Sequence, residues 1–364
     1  MTRTAQDLMH VPVTAGLHHV TLVARDARRT LGFYRDVLGL GLVKRTVNFD
    51  DPGSHHLYFG DAQGRPGTLV TVFEWPRAPR GGFGLGGVHH LALGVASPEG
   101  QLQWKRWLLQ HGVPVSGPYD RKWFTSIYFA DPDGQVLEIA TKGPGYAVDE
   151  PLEALGQRVI VPGDGHLRGR RDERDIAAAT WPEPIAAITP AMALGGLHHV
   201  TGITDDIARM HDFLGEALGL RLVKRSVNQD DPDAAHWFWA NYDGTRVADH
   251  SAYTLFGWPP GVRAARPGVG QAHHVAFRAE STDDQLAFQD RLRAMGVLVS
   301  DVMDRTYFQS IYFRAPDGML FEIATDGPGF AVDEPAEVLG RTLRLPAWLE
   351  AERGAIEGAL PPLG

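Results

Sequence analysis

An internal duplication is the strongest constraint on how this chain of 364 residues folds. The run GLHHVT at Gly16–Thr21 recurs at Gly196–Thr201, and a later block, DRKWFTSIYF, recurs as DRTYFQSIYF. Self-similarity over such distances indicates a structural unit that is used more than once. We therefore interpret the chain as two similar halves, at residues 12–157 and 192–341.

Each half divides again into two modules, and every module opens on a His-His pair followed by an apolar strand-like run. A helix-compatible segment such as Asp26–Leu38 comes next, and several further strand-like runs follow it. In the second and fourth modules two of these runs form a hairpin around Pro-Asp-Gly, at Pro132–Gly134 and Pro316–Gly318. The pattern predicts an α+β fold of four βαβββ modules, paired into two curled, barrel-like mixed-sheet domains.

The domain boundaries follow from the ends of the repeats. The first domain, 12–157, is predicted to hold modules 16–76 and 87–142, and the second, 192–341, is predicted to hold modules 196–259 and 271–326. Residues 158–191 show no module pattern and are interpreted as a linker, and residues 342–364 as a C-terminal tail with one short amphipathic helix candidate, Trp348–Ile356.

Composition removes several classes of function. The chain has no cysteine, so any metal site must use His, Asp or Glu. A formal net charge of −9 with scattered basic residues argues against a nucleic-acid partner. No apolar run approaches the roughly 20 residues of a membrane span, so no membrane contact is expected. The N-terminal run MTRTAQDLMH lacks the features of a secretory signal, which predicts a cytoplasmic location.

Histidine has an unusual distribution, because ten of the 16 histidines form five adjacent pairs. Glu322 lies inside the apolar strand-like run MLFEIA, 48 residues after His274, and the same spacing separates His90 from Glu138. An unpaired buried carboxylate costs several kcal/mol or becomes protonated, and a metal ion is one way to keep it ionised. We predict that His274 and Glu322 are two of three ligands in a site with two histidines and one carboxylate.

These motifs resemble a known family. Four modules that begin HHVT or HHVA, with a hairpin ending in a strand Glu, resemble the vicinal oxygen chelate superfamily, which includes glyoxalase I, bleomycin-resistance proteins and extradiol dioxygenases. The runs LGLGLVKRTVNFDDP and DRTYFQSIYFRAPDGMLFEIATDGPGF are similar to those of the ring-cleaving dioxygenases that open hydroquinones. The resemblance covers nearly the whole chain from Gly16 to about Leu345.

The resemblance implies a site and a reaction. It places the ligands of Fe(II), with Mn(II) as the alternative ion, on His19, His274 and Glu322. The substrates it implies are a small aromatic ring and O2, and a homo-oligomer is left open. It also assigns roles beside the metal or the substrate to five residues: Thr21, His18, His273, Arg305 and Tyr312. Among these, Arg305 is expected to hold negative charge, Tyr312 to act as an acid, and His273 or His18 to shuttle a proton.

The middle modules retain the same residue types, which leaves the number of sites open. One interpretation adds a second, pseudo-symmetric triad of His199, His90 and Glu138. Another pairs modules within each half and gives His19, His90 and Glu138 in one site, with His199, His274 and Glu322 in the other. The sequence alone does not choose between them, whereas the resemblance favours pairing the first module with the fourth.

Two other functions fit the same fold. A metal lyase or isomerase of glyoxalase type usually has a fourth protein ligand, and the first module has no second carboxylate at the required place. A binding protein of the bleomycin-resistance type holds a ligand without chemistry and needs no complete ligand set. We therefore expect a ring-cleaving dioxygenase, with these two as the alternatives.

Overall fold

The protein, described by a computed structural model over residues 12–363, consists of four modules that each run strand, helix and three strands. The first module contains β1 (Leu17–Ala24), β2 (Gly41–Asn48), β3 (Asp51–Gly60) and β4 (Leu69–Glu74). The second contains β5 (Val88–Val95), β6 (Ser116–Asp120), β7 (Thr125–Ala130) and β8 (Val136–Thr141). The third contains β9 (Leu194–Thr204), β10 (Arg221–Asn228), β11 (Asp231–Ala240) and β12 (Ala252–Gly257). The fourth contains β13 (Gln271–Ala279), β14 (Met303–Asp304), β15 (Gln309–Arg314) and β16 (Leu320–Thr325).

The helices are short. In chain order they are α1 (Ala27–Leu31), α2 (Pro98–Gln110), α3 (Glu173–Ala178), α4 (Ile207–Leu218), α5 (Thr282–Ala294) and α6 (Arg353–Ala359). Single 3-10 turns occur at Tyr146–Val148, Leu152–Ala154, Asp164–His166, Pro190–Met192, Phe330–Val332 and Ala336–Val338, and a longer one at Ala347–Glu352. The predicted α+β fold of four βαβββ modules is confirmed.

Each of the two eight-stranded sheets combines one module from each half of the sequence. Sheet A has the order β14-β15-β16-β13-β1-β4-β3-β2, and sheet B has the order β10-β11-β12-β9-β5-β8-β7-β6. The first module thus shares a sheet with the fourth, and the second with the third. The predicted domains 12–157 and 192–341, each with two consecutive modules, describe the sequence repeat, whereas each sheet spans both halves.

The centre of each sheet is an antiparallel pair of module-opening strands, β1 with β13 in sheet A and β5 with β9 in sheet B. Each opening strand also runs parallel to the last strand of its own module. A central strand that is covered on both faces is buried along its whole length, and all eight residues of β1 are buried. The arrangement brings the opening histidines of two distant modules onto neighbouring strands.

The module helices begin at side-chain caps in all four copies. The caps accept a hydrogen bond from the backbone N–H three residues later, and they are Asp26, Ser97, Asp206 and Ser281. Such a cap stabilises a helix by about 1 kcal/mol. The helix predicted at Asp26–Leu38 is present, but it continues from α1 as a wider π-helical stretch, Gly32–Val37.

In each sheet, a buried lysine of one module binds the segment that follows the last strand of the neighbouring module. Lys44 of β2 is fully buried, and its Nζ donates to Asp333 at 2.7 Å and to Glu334 at 2.5 Å. The equivalent contacts in sheet B join Lys224 of β10 to Asp149 and Glu150. Because a buried ammonium without partners is costly, these acidic pairs fix the chain where it leaves each half.

The linker and the tail also pack against the sheets. Val159 forms a β-bridge with Arg225 in β10, and Leu343 forms the equivalent bridge with Arg45 in β2. The predicted helix at Trp348–Ile356 is a 3-10 helix that continues into α6. Its apolar residues Leu349 and Ile356 join Leu345 in a buried cluster with Val47 of β2. Each segment is therefore a cover over one sheet.

Within residues 12–363, no helix is long and apolar enough to cross a membrane. The run MTRTAQDLMH, on which the predicted cytoplasmic location rests, lies outside the described residues.

Candidate metal centres

Three buried side chains of sheet A converge on one point. His19 Nε2 lies 3.2 Å from His274 Nε2 and 3.5 Å from Glu322 Oε2. His274 Nε2 lies 2.8 Å from the same carboxylate oxygen. The predicted set is therefore brought together, and the interpretation that pairs modules within each half is excluded by the sheet topology.

The strand order explains this convergence. In the antiparallel pair of β1 with β13, Thr21 lies opposite His274, and in the parallel pair of β13 with β16, Ala276 lies opposite Glu322. Residues two apart on a strand share a face, so His19 and Thr21 face the same side as each other. The three ligand atoms therefore come from adjacent strands, although most of the chain separates His19 from Glu322.

The donor atoms fit a divalent cation. Neighbouring ligands of an octahedral ion, each about 2.1 Å from the metal, are about 3.0 Å apart, close to the distances found here. Glu322 Oε2 is buried and near both ring nitrogens but in hydrogen-bond geometry with neither, whereas Oε1 accepts from Ser310 Oγ at 2.5 Å. A buried carboxylate oxygen that accepts no hydrogen bond is unfavourable, and a cation between the three ligand atoms would satisfy it.

The protonation states also suit a metal. Burial raises the pKa of Glu322, but the neighbouring rings of His19 and His274 outweigh it and hold that pKa well below its usual range. Burial is the main cause that lowers the pKa of His274. The site thus presents an ionised carboxylate and a neutral imidazole, which are the forms that bind metals.

The first histidine of each pair orients the second. His18 Nδ1 lies 2.9 Å from His19 Nδ1, and His273 Nδ1 lies 2.7 Å from His274 Nδ1. Burial lowers the pKa of both His18 and His273 to about 3, so each is neutral and accepts the N–H of its neighbour. That bond leaves the Nε2 atoms of His19 and His274 free of protons and directed at the metal position.

A small cavity opens beside the three ligand atoms. Its volume is about 30 Å³, and its aromatic lining consists of Phe49, Tyr58, Phe73, Phe308 and Tyr312. The cavity is also lined by Thr21, whose Oγ1 lies 2.9 Å from His274 Nε2, and by His56, which bonds to Thr71. A cavity of this size holds an ion or a water molecule.

Arg305 and Tyr312, both predicted to act on substrate, lie together at this cavity. The Arg305 guanidinium stands over the Tyr312 ring, 5.4 Å from its centroid, and Nη1 donates to Asp50 at 3.2 Å. Burial lowers the pKa of Arg305, but Tyr312 and Asp50 outweigh it and raise that pKa above its usual value. Burial and the Glu322 charge raise the pKa of Tyr312. The cavity therefore offers a permanent cation and a protonated phenol.

Sheet B contains a second cluster with nearly the same geometry. His90 Nε2 lies 3.2 Å from His199 Nε2 and 3.0 Å from Glu138 Oε2, and His199 Nε2 lies 3.4 Å from that oxygen. Ser126 Oγ donates to Glu138 Oε1 at 2.6 Å. The pseudo-symmetric pair of triads is the arrangement that the structure brings together.

The residues predicted to act beside the metal or the substrate fall into two groups by position. Thr21, Arg305 and Tyr312 line the cavity, whereas His18 and His273 lie behind the ligands and are absent from its lining, so their position does not support a proton shuttle. Sequence reasoning missed Ser310, which fixes the carboxylate of Glu322. A serine stands twelve residues before the strand Glu in both halves, at Ser126 and Ser310, and this repeated spacing was the available signal.

Comparisons with known proteins agree with this fold. The sequence profile of the Glyoxalase/Bleomycin resistance protein/Dioxygenase superfamily matches residues 16–139 and 196–323. The chain is 35% identical to MhqO of Bacillus subtilis, whose name assigns it provisionally to the ring-cleaving dioxygenases, over 96% of each chain. It is 30% identical to the chlorohydroquinone/hydroquinone 1,2-dioxygenase of Sphingobium indicum, over 92% of each chain.

Solved structures give the same result. A crystal structure of a provisionally assigned dioxygenase from Bacillus subtilis matches with a TM-score of 0.75 and 34% identity, over 96% of this chain and 97% of that one. Glyoxalase I from Zea mays shares the fold, with a TM-score of 0.56 and 16% identity, over 85% of this chain and 92% of that one. The chain therefore belongs to the glyoxalase/bleomycin resistance protein/dioxygenase superfamily.

Proposed function

We propose that the protein is a non-haem, Fe(II)-dependent dioxygenase that cleaves hydroquinone- or catechol-like rings with O2 at His19, His274 and Glu322. The observation that carries the proposal is the convergence of these three buried ligand atoms, with Glu322 Oε2 unsatisfied, beside a cavity lined by aromatic rings. The names of the relatives support the same reaction, and the Sphingobium indicum relative is named for hydroquinones.

His19, His274 and Glu322 would hold the ion on one side and leave the cavity side open. When bound, Fe(II) with such a facial triad supplies coordination positions for a phenolic oxygen and O2 and a path for electrons between them. Ser310 keeps one carboxylate oxygen of Glu322 engaged, so the other points at the metal position. His18 and His273 keep the two imidazoles in the tautomer that binds metal.

Arg305 and Tyr312 act on the charge that develops during ring cleavage. The guanidinium of Arg305 stays positively charged and can stabilise a phenolate or a reduced oxygen species through charge-assisted hydrogen bonds. Tyr312 keeps its proton at neutral pH, because burial raises the pKa of its hydroxyl, and can donate it to an oxygen at the ring. The aromatic walls, including Phe308, favour a flat apolar substrate.

The cavity must open before a ring can bind, since its volume of about 30 Å³ holds no more than an ion or a few water molecules. Asp50 is the exposed residue of its lining, with Phe49 and Arg305 half-buried beside it. Movement of these side chains, with separation of Arg305 from Asp50, would admit the substrate and free the guanidinium to meet it.

The test is reconstitution of the metal-free protein with Fe(II) under anaerobic conditions, followed by O2 uptake with hydroquinone, methylhydroquinone and catechol. We expect uptake that depends on Fe(II) and on the ring, with both atoms of labelled O2 in a ring-opened acid. Replacement of Fe(II) by Mn(II) measures the metal preference. Iron-loaded protein that consumes no O2 with any of the three rings would overturn the proposal, and turnover of a glyoxalase substrate with nickel or zinc would support the isomerase alternative.

A further inference from the structure

The cluster in sheet B repeats the chemistry of the first site and takes no part in the proposed reaction. Its three ligand atoms lie 3.0 to 3.4 Å apart, and all three side chains are buried. Among residues 12–363, neither Glu138 Oε2 nor Glu322 Oε2 has a hydrogen-bond partner. A buried, unsatisfied carboxylate oxygen facing two imidazoles again points to a cation.

The surroundings of this cluster also prepare it for a metal. His89 and His198 meet the Nδ1 atoms of His90 and His199 at 2.8 Å, so both ligands receive the orienting contact found in sheet A. The contacts that orient a metal ligand are thus complete.

The space at the ligands is alike in the two sheets, but sheet B has a further cavity. At His199 a cavity of about 20 Å³, lined also by Arg121 and Tyr128, matches the small cavity of sheet A. A second cavity of about 670 Å³ reaches His90, Tyr128 and Arg121. This volume lies within the range of pockets that hold small molecules, about 300–1,000 Å³. The outer wall comes from the linker, which supplies Arg168 and Arg171.

The lining of this cavity carries more positive than negative charge. Arg121, Arg168 and Arg171 face only Asp230 and Glu173 among its carboxylates. Arg171 has a side chain 6% exposed and binds Asp230 and Glu173 at 2.7 Å. Its Nη1 is buried and has no hydrogen-bond partner in the part of the chain that the structure describes. Arg121 donates to the neutral Gln229, at the position where the first site has Phe49, and its Nη2 lies 3.7 Å from Asp230. A guanidinium nitrogen without an acceptor points to an anionic ligand group.

We infer that His90, His199 and Glu138 bind a second divalent cation, and that the cavity beside it takes an aromatic ligand with a carboxylate group. The metal would meet the ligand's phenolic oxygen next to His90. The carboxylate would lie toward Arg171 and Arg121, and Tyr119, over whose ring Arg171 stacks at 4.2 Å, would help to hold the guanidinium in place.

The number of metal ions per chain tests the first part. Metal-free protein is loaded with Co(II), freed of excess metal and analysed by atomic emission, for the wild type and for the Glu322→Gln, Glu138→Gln and doubly substituted proteins. We expect two ions, one, one and none. One ion in the wild type and none in Glu322→Gln would overturn the inference, whereas one in the wild type and none in Glu138→Gln would instead overturn the metal site of the proposed function.

A second variant guards against misfolding. His199→Gln removes one imidazole and should lower the count from two to one, as Glu138→Gln does, while circular dichroism and the thermal midpoint show whether each variant folds. Two ions in a folded His199→Gln and a folded Glu138→Gln protein would place the second ion elsewhere and overturn the inference.

Ligand binding tests the second part. In the Glu322→Gln protein, Co(II) occupies only the cluster in sheet B, and its visible absorption bands report on added salicylate or phenol. We expect salicylate to shift the bands and to bind at least about ten-fold more tightly than phenol, because its carboxylate meets guanidinium groups. Equal affinities for the two would overturn the ligand class.

Arg171→Met, added to Glu322→Gln, should remove most of this preference without changing the metal count. Arg170→Met is the matched control, because Arg170 is exposed, pairs with Asp164 and does not line the cavity. Loss of the preference in both variants, or in neither, would show that Arg171 does not select the ligand.

Discussion

The clusters of sheet A and sheet B have the same ligands but different surroundings. Around His19, His274 and Glu322 the cavity is small, and Arg305 pairs with Asp50. Around His90, His199 and Glu138 the cavity at His199 is equally small, but a larger one that reaches His90 is bounded by arginines of the linker. The two sheets thus have the same ligand geometry, whereas the segments that follow the last strand of each half differ.

The two covers account for this difference. The tail contacts sheet A through apolar side chains: Trp348 packs edge-on against Phe49, and Leu349 and Ile356 are buried. The linker over sheet B is charged, and Arg168 N donates to the backbone oxygen of Gln229. A repeated fold can therefore change what its sites accept by altering loops and termini while its strands stay the same.

The largest effect is expected from Glu322→Gln, which keeps the shape of the side chain but removes its charge. Hydroquinone-dependent O2 uptake of the iron-loaded protein should fall by about 1,000-fold or more, because a facial triad without its carboxylate holds the metal poorly. An oxygen electrode measures the loss. Glu337→Gln, at an exposed position, is the control and should keep wild-type activity. If Glu322→Gln keeps a tenth of the activity, the reaction occurs elsewhere, and the cluster of sheet B becomes the candidate.

A smaller effect is expected in the tail. Leu349→Ala should lower the free energy of unfolding by about 2–3 kcal/mol, because it leaves a cavity in the buried cluster with Val47 and Ile356. Urea denaturation measures the change, and Glu352→Ala, at an exposed position nearby, should alter it by less than about 0.5 kcal/mol. Equal, small effects would mean that the tail does not cover sheet A in solution.

The two serines that hold the ligand carboxylates give a matched pair of variants. Ser310→Ala should weaken Co(II) binding in sheet A by about ten-fold, because Glu322 Oε1 loses its donor. Ser126→Ala should do the same for Glu138 in sheet B. Competition with a chelator gives the two affinities, with Ser310→Thr, which keeps the hydroxyl, as the control. A loss at both sites from either single substitution would contradict the independence of the two sheets.

The smallest effect concerns pH and the metal-free protein. Burial lowers the pKa of His18 and of His198 to about 3, against about 6.5 in an unfolded chain. The unfolded state binds protons below pH 6.5 and the folded state does not, so this stability is present above pH 6.5 and is lost as the pH falls. Each of the two histidines should lower the free energy of unfolding by about 1 kcal/mol at pH 5.5 relative to pH 7.5. Urea denaturation at the two pH values measures the change.

His18→Asn and His198→Asn should each reduce this pH dependence by the same amount, because the two histidines occupy equivalent positions in sheets A and B. Each variant therefore serves as the control of the other. Unequal changes in the pH dependence would show that one of the two histidines is less well buried in solution than the other.

The sequence predicted the modules, the hairpins and, in each half, the association of one histidine with one strand glutamate, because repeated spacing survives in a single chain. His274 with Glu322, and His90 with Glu138, were visible at the same separation. The assignment of His19 needed the resemblance, since a contact between β1 and β13 has no local signal. The covering role of the linker also escaped prediction, because the buried contacts of Arg171 depend on tertiary packing alone.

The pairing of the first module with the fourth, and of the second with the third, has a consequence for the origin of the chain. Two copies of a half-length chain that exchanged modules around a two-fold axis would form the same two sheets, each with its own triad. The linker then corresponds to the join that turned such a symmetric dimer into one polypeptide. In one polypeptide the two pockets can differ in sequence, whereas the pockets of a homodimer encoded by a single gene cannot.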